Sequence, residues 1–198
     1  MNNFLTKIKQ IALFIGLLLI SYAGLQAEEP RIVSIGGSIT EIVYALGAGK
    51  ALVGVDSSSV YPALATKLPQ IGYQRTLSAE GVLSLRPTLI LVSDKAGPPR
   101  VIEQLKETGI PLEIIHYEYS VEGTKTKIRT VARILERQPQ GEVLVRHLEE
   151  TVAKIRAVQT FNGRKKRVLF IFAHEGSGAV LAAGRDTPAD AIISLAGA

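Results

Sequence analysis

Apolar residues in this chain alternate between two rhythms. Short, nearly unbroken apolar runs at 31–35, Leu52–Val55, 89–92 and Leu112–Ile115 predict strands. The third run is almost free of polar positions, as a parallel strand covered on both faces would be. Stretches of helical character separate these runs. Gly36-Gly37 follow the first strand, Ser38-Ile39-Thr40-Glu41 has capping-box spacing, and Gly47 closes the helix predicted to begin there. Pro98-Pro99 can start a helix through Val101, Leu105 and Lys106, which Gly109 ends. Strand and helix in strict alternation predict an α/β fold with a parallel, doubly wound sheet.

The pattern changes after Ser120. Residues 121–135 read as helix, and beyond Pro139-Gln140-Gly141 the apolar positions Val145, Leu148, Val152 and Ile155 keep three-four spacing, with Glu150 and Lys154 four apart. That predicts a helix of about 20 residues, about 30 Å long. Residues 167–173 predict a strand, followed by a Gly-rich loop through Gly184 and a helix opened by Thr187-Pro188-Ala189-Asp190. One strand and one helix cannot cover their own apolar faces. Leu169, Ile171, Ile192, Ile193 and Leu195 are therefore expected to be partly exposed. Either the last residues pack back on the first domain or the sequence is the front part of a larger protein. The second is the expectation.

The first residues read as an export signal. Lys7 and Lys9 precede the apolar segment 11–22, and Ala27 before Glu28-Glu29-Pro30 fits a cleavage site. An apolar run of about 12 residues is short for a bilayer. A retained anchor is the alternative. With no cysteine, a lipid-modified cysteine, disulfides and thiolate metal sites are all excluded. Loss of residues 1–27 removes two lysines and no acid, so the net charge falls from +5 to +3. The basic residues are scattered, and the densest run, Arg164-Lys165-Lys166-Arg167, has no aromatic residues among it, which argues against nucleic acid as a partner. There is no G-x-S-x-G, G-x-G-x-x-G or G-K-[ST] motif. Nothing in the sequence points to a hydrolase or a nucleotide site, so an enzyme is not expected.

The candidate chemistry lies in residues 72–92. Tyr73 and Arg75 occupy a polar loop at the rim of the predicted sheet, ahead of a short helix that Ser78 can cap and that carries Glu80 in its first turn. A phenol beside a guanidinium suits a hard metal such as ferric iron. Each residue has a plainer alternative: a packing tyrosine, a solvated arginine, an acid at a helix N-terminus. Asp56 and Tyr61 either line a cleft entrance or shape their loop, while His116 and His147 read as structural.

The runs Gly36-Gly37-Ser38-Ile39-Thr40-Glu41-Ile42-Val43-Tyr44-Ala45-Leu46-Gly47, Gly54-Val55-Asp56-Ser57-Ser58-Ser59-Val60-Tyr61-Pro62, Leu68-Pro69-Gln70-Ile71-Gly72-Tyr73, Leu77-Ser78-Ala79-Glu80-Gly81 and Ala96-Gly97-Pro98-Pro99 resemble class III periplasmic binding proteins. Within that class the chain most resembles the haem-binding proteins of haemin ABC importers. The first run and Arg86-Pro87-Thr88-Leu89-Ile90 are shared with cobalamin and siderophore binders, whereas Gly72-Tyr73-Gln74-Arg75 and Ser78-Ala79-Glu80-Gly81 point more narrowly to haem.

The resemblance implies a signal peptide at 1–27, an N-terminal α/β lobe at 28–140, a bridging helix at 141–163 and the beginning of an incomplete C-terminal lobe at 164–198. It implies a monomeric periplasmic carrier that captures haem and delivers it to an inner-membrane ABC permease. Tyr73 matches the family's haem-ligating tyrosine, Arg75 the arginine beside it, and His174 the second ligand of some members. Glu80 falls where a glutamate of the first lobe docks onto the permease. A cobalamin or ferric-siderophore carrier of the same fold is the alternative. So is a truncated remnant with impaired binding, since much of the opposite cleft wall is not in this sequence.

Overall fold

Four apolar runs become a parallel sheet, β1 (Ile32–Ile35), β2 (Leu52–Val55), β3 (Leu89–Ser93) and β4 (Leu112–Ile115), in the order β2-β1-β3-β4. In-register parallel pairs such as Ile32 with Leu89 and Ile90 with Leu112 hold it together. The computed structural model describes residues 30–158, 166–173 and 180–198. The expected signal peptide and its cleavage site lie outside the described residues. No described helix is long and apolar enough to cross a membrane.

Side chains of a strand alternate between faces, and both faces of this sheet are covered. Ile32, Leu91 and Ile115 pack with Ile39, Ile42 and Val43 of α1 (Gly37–Ala45) and with Ile128 and Val131 of α4 (Val121–Ile134). Val33, Ile90 and Val92 pack on the other face with Val82 of α2 (Ala79–Leu83) and with Ile102 and Leu105 of α3 (Pro99–Glu107). Doubly wound packing follows from these two apolar layers, as expected. Pro99 stands in the first turn of α3, and Ser78 caps α2 by accepting from the Gly81 N–H.

The capping box does not form. Helix α1 starts at Gly37, its N-cap is Gly36, and no side chain of its own segment caps it. Gly36 has φ +120, a conformation open to glycine, and a Cβ there would meet the Tyr117 hydroxyl at 3.1 Å. The helix-start N–H groups are satisfied from across the sheet edge instead. Gly36 N–H donates to Asp56 Oδ1 (2.8 Å) and Gly37 N–H to Ser58 Oγ (3.1 Å). Glu41 is exposed and lies beyond the first turn.

The long helix α5 spans Gln138–Val158, beginning three residues before the expected position. Pro139 does not stop it, because a proline near a helix start gives up an N–H that would have no partner there. Gly141 faces α4 so closely that a Cβ would stand 2.6 Å from Ala132 Cβ. Ion pairs from Lys125 to Glu149 and from Arg129 to Glu142 join the same two helices. Beyond it, β5 (Ile171–Ala173) and β6 (Val180–Ala182) form an antiparallel pair, followed by α6 (Pro188–Leu195), which Thr187 caps. The sequence reading placed only loop where β6 stands. Leu169, Ile171 and Ile192 are more than half exposed, and Ile193 and Leu195 partly so, as expected.

Candidate ligand-binding site

In a parallel sheet of order β2-β1-β3-β4, the chain leaves β1 and β3 in opposite directions, and ligands bind beyond the carboxyl ends of the strands at that switch point. The segments arriving there are Gly36–Ser38 after β1, Asp56–Ser59 after β2, Ser93–Pro98 after β3 and His116–Ser120 after β4. All four are tied together by hydrogen bonds, most of them through a buried polar network. Asp56, fully buried, accepts from Gly36 N–H, from Ser58 N–H (3.0 Å) and Oγ (2.6 Å), and from Ser59 Oγ (3.0 Å). Ser59 Oγ lies 2.8 Å from Thr40 Oγ1, which in turn lies 2.8 Å from Ser34 Oγ. With its carboxylate occupied this fully, Asp56 shapes the loop and is not a ligand donor.

That network extends to the loop predicted to carry the chemistry. Gln74 Nε2 donates to Ser58 Oγ (3.3 Å), Ser57 N–H to Gly72 O (2.9 Å), Gly97 N–H to Gln74 O (2.8 Å) and Thr76 N–H to Tyr73 O (2.9 Å). The backbone on both sides of Tyr73 is thereby fixed. Its phenol is 46% exposed, and Arg75 is exposed on the same loop. Glu80 is exposed in the first turn of α2. His174 lies outside the described residues. Tyr73 and Arg75 thus share a loop, while Glu80 stands apart on the next element. Among the described residues no cluster of histidine and carboxylate side chains forms a metal site.

The sequence reading missed a second constellation. Ser38 Oγ and Tyr117 OH are hydrogen-bonded at 2.5 Å, Lys127 Nζ donates to Ser38 Oγ (3.2 Å), and the same ammonium stands 3.5 Å from the Tyr117 ring centroid. Lys127 is only 8% exposed. Burial pushes its amine below the ordinary lysine range, a shift that the negative charge of Asp94 opposes. Burial likewise pushes the Tyr117 phenol up; the Ser38 hydrogen bond works against this and the Asp56 charge adds to it. Asp94 Oδ2 accepts from Tyr117 N–H (3.2 Å) and faces His116 Nδ1 at 3.4 Å, while its buried Oδ1 has no hydrogen-bond partner among the described residues. Ser38, Tyr117 and Lys127 line a cavity of about 1520 Å³ whose other walls come from Leu148 and Val152 of α5 and Ala191 and Ile192 of α6. One signal for this corner was in the sequence: Lys127 falls on the buried stripe of α4, with Gly123, Ile128 and Val131.

Comparison with known proteins agrees with this architecture. Residues 32–198 match the family described as periplasmic binding protein. The chain is similar to a vitamin B12-binding protein of Pectobacterium carotovorum subsp. carotovorum (strain PC1), 29% identical over 183 residues that make up 92% of this chain and 64% of that one. It is similar to another of Yersinia pestis (strain Pestoides F), 40% identical over 96 residues, 48% of this chain and 34% of that one. Among solved structures it resembles the periplasmic heme-binding protein RhuT from Roseiflexus sp. RS-1 in apo form, with TM-score 0.81 and 43% identity over 86% of this chain and 65% of that one. The periplasmic heme-binding protein BhuT in complex with two hemes matches with TM-score 0.78 and 39% identity over 85% of this chain and 65% of that one. HutB of Vibrio cholerae, also a periplasmic heme-binding protein, matches with TM-score 0.77 and 37% identity over 86% and 65%. The chain therefore spans just under two thirds of the length of these solved relatives. With the sheet order and the family match over residues 32–198 in agreement, this chain belongs to the periplasmic binding proteins.

Proposed function

We propose that this protein captures haem in the periplasm and hands it to the permease of an ABC importer. The observation that carries the reading is Tyr73: a phenol presented outward from a loop whose backbone is fixed on both sides, at the carboxyl edge of a parallel sheet. A phenolate suits ferric iron and is an axial haem ligand in other proteins. Arg75, exposed on the same loop, supplies a charge that favours the phenolate or pairs with a propionate. His174 is the proposed second ligand, by its match to the second ligand of some haem-binding members. Glu80, exposed on α2, is the proposed contact for a basic residue of the permease, where complementary charge steers docking. The solved relatives named as heme-binding support haem, being 37 to 43% identical over about the same share of this chain.

The second reading is cobalamin, favoured by the vitamin B12-binding proteins among the curated relatives. Titrating hemin, cyanocobalamin and a ferric siderophore in parallel separates the readings. Hemin is expected to bind with a Soret shift and with the highest affinity of the three, and a preference for cyanocobalamin overturns the haem reading. Tyr73→Ala is expected to lower hemin affinity at least about 100-fold, the equivalent of about 3 kcal/mol. Undiminished binding by that variant removes Tyr73 as a ligand.

A further inference from the structure

We propose that Lys127, with the hydroxyls of Ser38 and Tyr117, forms a carboxylate-binding subsite in the cavity wall that selects porphyrins with free propionates; the proposal rests on the haem reading above. The first argument is charge. A buried ammonium is costly unless an anion accompanies it. Lys127 has been taken almost wholly out of water, yet no carboxylate of the described residues forms an ion pair with it. Its neighbour two positions earlier is the reverse. Lys125 pairs with both Glu122 and Glu149, and the hydrogen bonds from these two carboxylates, that of Glu149 first, raise its amine above the ordinary range. Lys125 thus answers the two acids on its side of the cavity, whereas no carboxylate of the described residues stands within ion-pair distance of Lys127.

The second argument is a count of protons. The ammonium has three N–H donors. One goes to Ser38 Oγ and one is directed at the face of the Tyr117 ring, which leaves a third. Ser38, Tyr117 and Ser93, which also hydrogen-bonds the phenol, own three hydroxyl protons, and the two bonds use two, which leaves one to donate. One N–H and one O–H converging on a cavity wall match the two oxygens of a carboxylate. Asp94 is the competing anion: its charge acts on Lys127 and its buried Oδ1 is unpartnered, but it stands beyond ion-pair distance, with Oδ2 engaged by the Tyr117 N–H. The corner is connected to the Tyr73 loop through Ser58, which accepts both from Gln74 and from the Gly37 N–H.

The chemistry discriminates between the two candidate cargoes. Haem carries two propionate carboxylates, whereas the peripheral side chains of cobalamin are amides. The test uses the 198-residue chain with four probes: hemin, hemin dimethyl ester, metal-free protoporphyrin IX and its dimethyl ester. Wild type is expected to prefer each diacid over its ester by about 10- to 100-fold, the range for hydrogen bonds to a charged group. In Lys127→Met the ratio is expected to fall at least about threefold, any remaining preference being what Arg75 supplies. Because the ratio is taken within each variant, a reduced folded fraction cancels. Tyr73→Ala is expected to weaken hemin while leaving the diacid preference on the metal-free ring, so loss of iron ligation and loss of the subsite read out separately. If hemin binds no better than the metal-free diacid but the acid-over-ester preference persists, the subsite stands and the haem reading falls. A wild-type ratio near one on both ring systems overturns the subsite, as does a Lys127→Met variant that keeps the wild-type ratio. Should Lys127→Met fail to fold, Ser38→Ala is expected to lower the ratio severalfold, and an unchanged ratio overturns the proposal.

Discussion

At the Tyr73 loop the backbone is held and the side chains are free, whereas at the Lys127 corner the side chains hold one another. Tyr73 and Arg75 project into solvent from main chain bonded to Ser57 and Gly97. Ser38, Tyr117 and Lys127 are bonded or stacked among themselves, and the lysine is nearly out of water. The difference follows from what each would have to do. A ligand to a metal gains its strength from the bond itself and needs chiefly to be in the right place. A charge acts on a distant or partial partner only where water does not screen it, so it has to be dry. The two proposed modes of recognition on one sheet edge thus call for opposite local construction.

The strongest way to break this comparison is to remove what both regions share. Asp56→Ala leaves the Gly36 and Ser58 N–H groups unpaired in the interior, and is expected to cost about 3 kcal/mol or more in a urea melt. Hemin affinity and the diacid preference should then fall together. Next, Gln74→Ala cuts one side-chain tie between the loop and Ser58. It is expected to weaken hemin binding about 3- to 10-fold with little change in melting temperature and no change in the diacid ratio. A change in the ratio would mean that the two regions are one.

Smaller effects sharpen the contrast between the lysines. Lys125→Met is expected to lower the melting temperature slightly, an effect that high salt abolishes, since it removes a screened surface pair. Lys127→Met is expected to leave the ligand-free protein at least as stable as wild type, because it removes a buried charge with no carboxylate to pair with. The sign with pH follows from the lowered amine. The folded state gives up the Lys127 proton before the unfolded state does, so between those two points the unfolded chain binds more protons and stability rises with pH. The raised Tyr117 phenol acts in the other direction, losing stability as pH climbs through the ordinary tyrosine range, but it is present in both proteins. Asp94 and the cavity-lining Glu118, Glu122, Lys125, Glu149 and Arg156 are likewise common to both. The stability of wild type relative to Lys127→Met should therefore improve from neutral pH toward the lysine range. A flat difference in paired melts would contradict the dry-charge account.

The first lobe was legible in the sequence because burial on both faces leaves apolar runs such as Ile90-Leu91-Val92 that few other structures accommodate. The Tyr73 loop was legible too, since polar residues between the packed positions Ile71 and Leu77 have nowhere to go but outward. The start of α1 was not. Ser38 had the right spacing for a cap, but Asp56 and Ser58, some 20 residues on, reach the helix N–H groups first and leave Ser38 to Tyr117. Strand β6 was too short, at three residues, to show any period. The Lys127 corner needed two segments that the chain brings together only on folding, so nothing local singled out that lysine.

Gly141 gives the long helix one more property. Its contact with Ala132, together with the Arg129–Glu142 and Lys125–Glu149 pairs, clamps the first half of α5 to the lobe beneath it. The remainder is then a lever. Over the stretch of α5 beyond Glu149, about 14 Å, a tilt of about 5° moves the far end by about 1 Å. A bulkier residue at Gly141 would force such a tilt by lifting the helix from α4. The absence of a single methyl group at the root would thus set how accurately anything mounted on the tip is aimed.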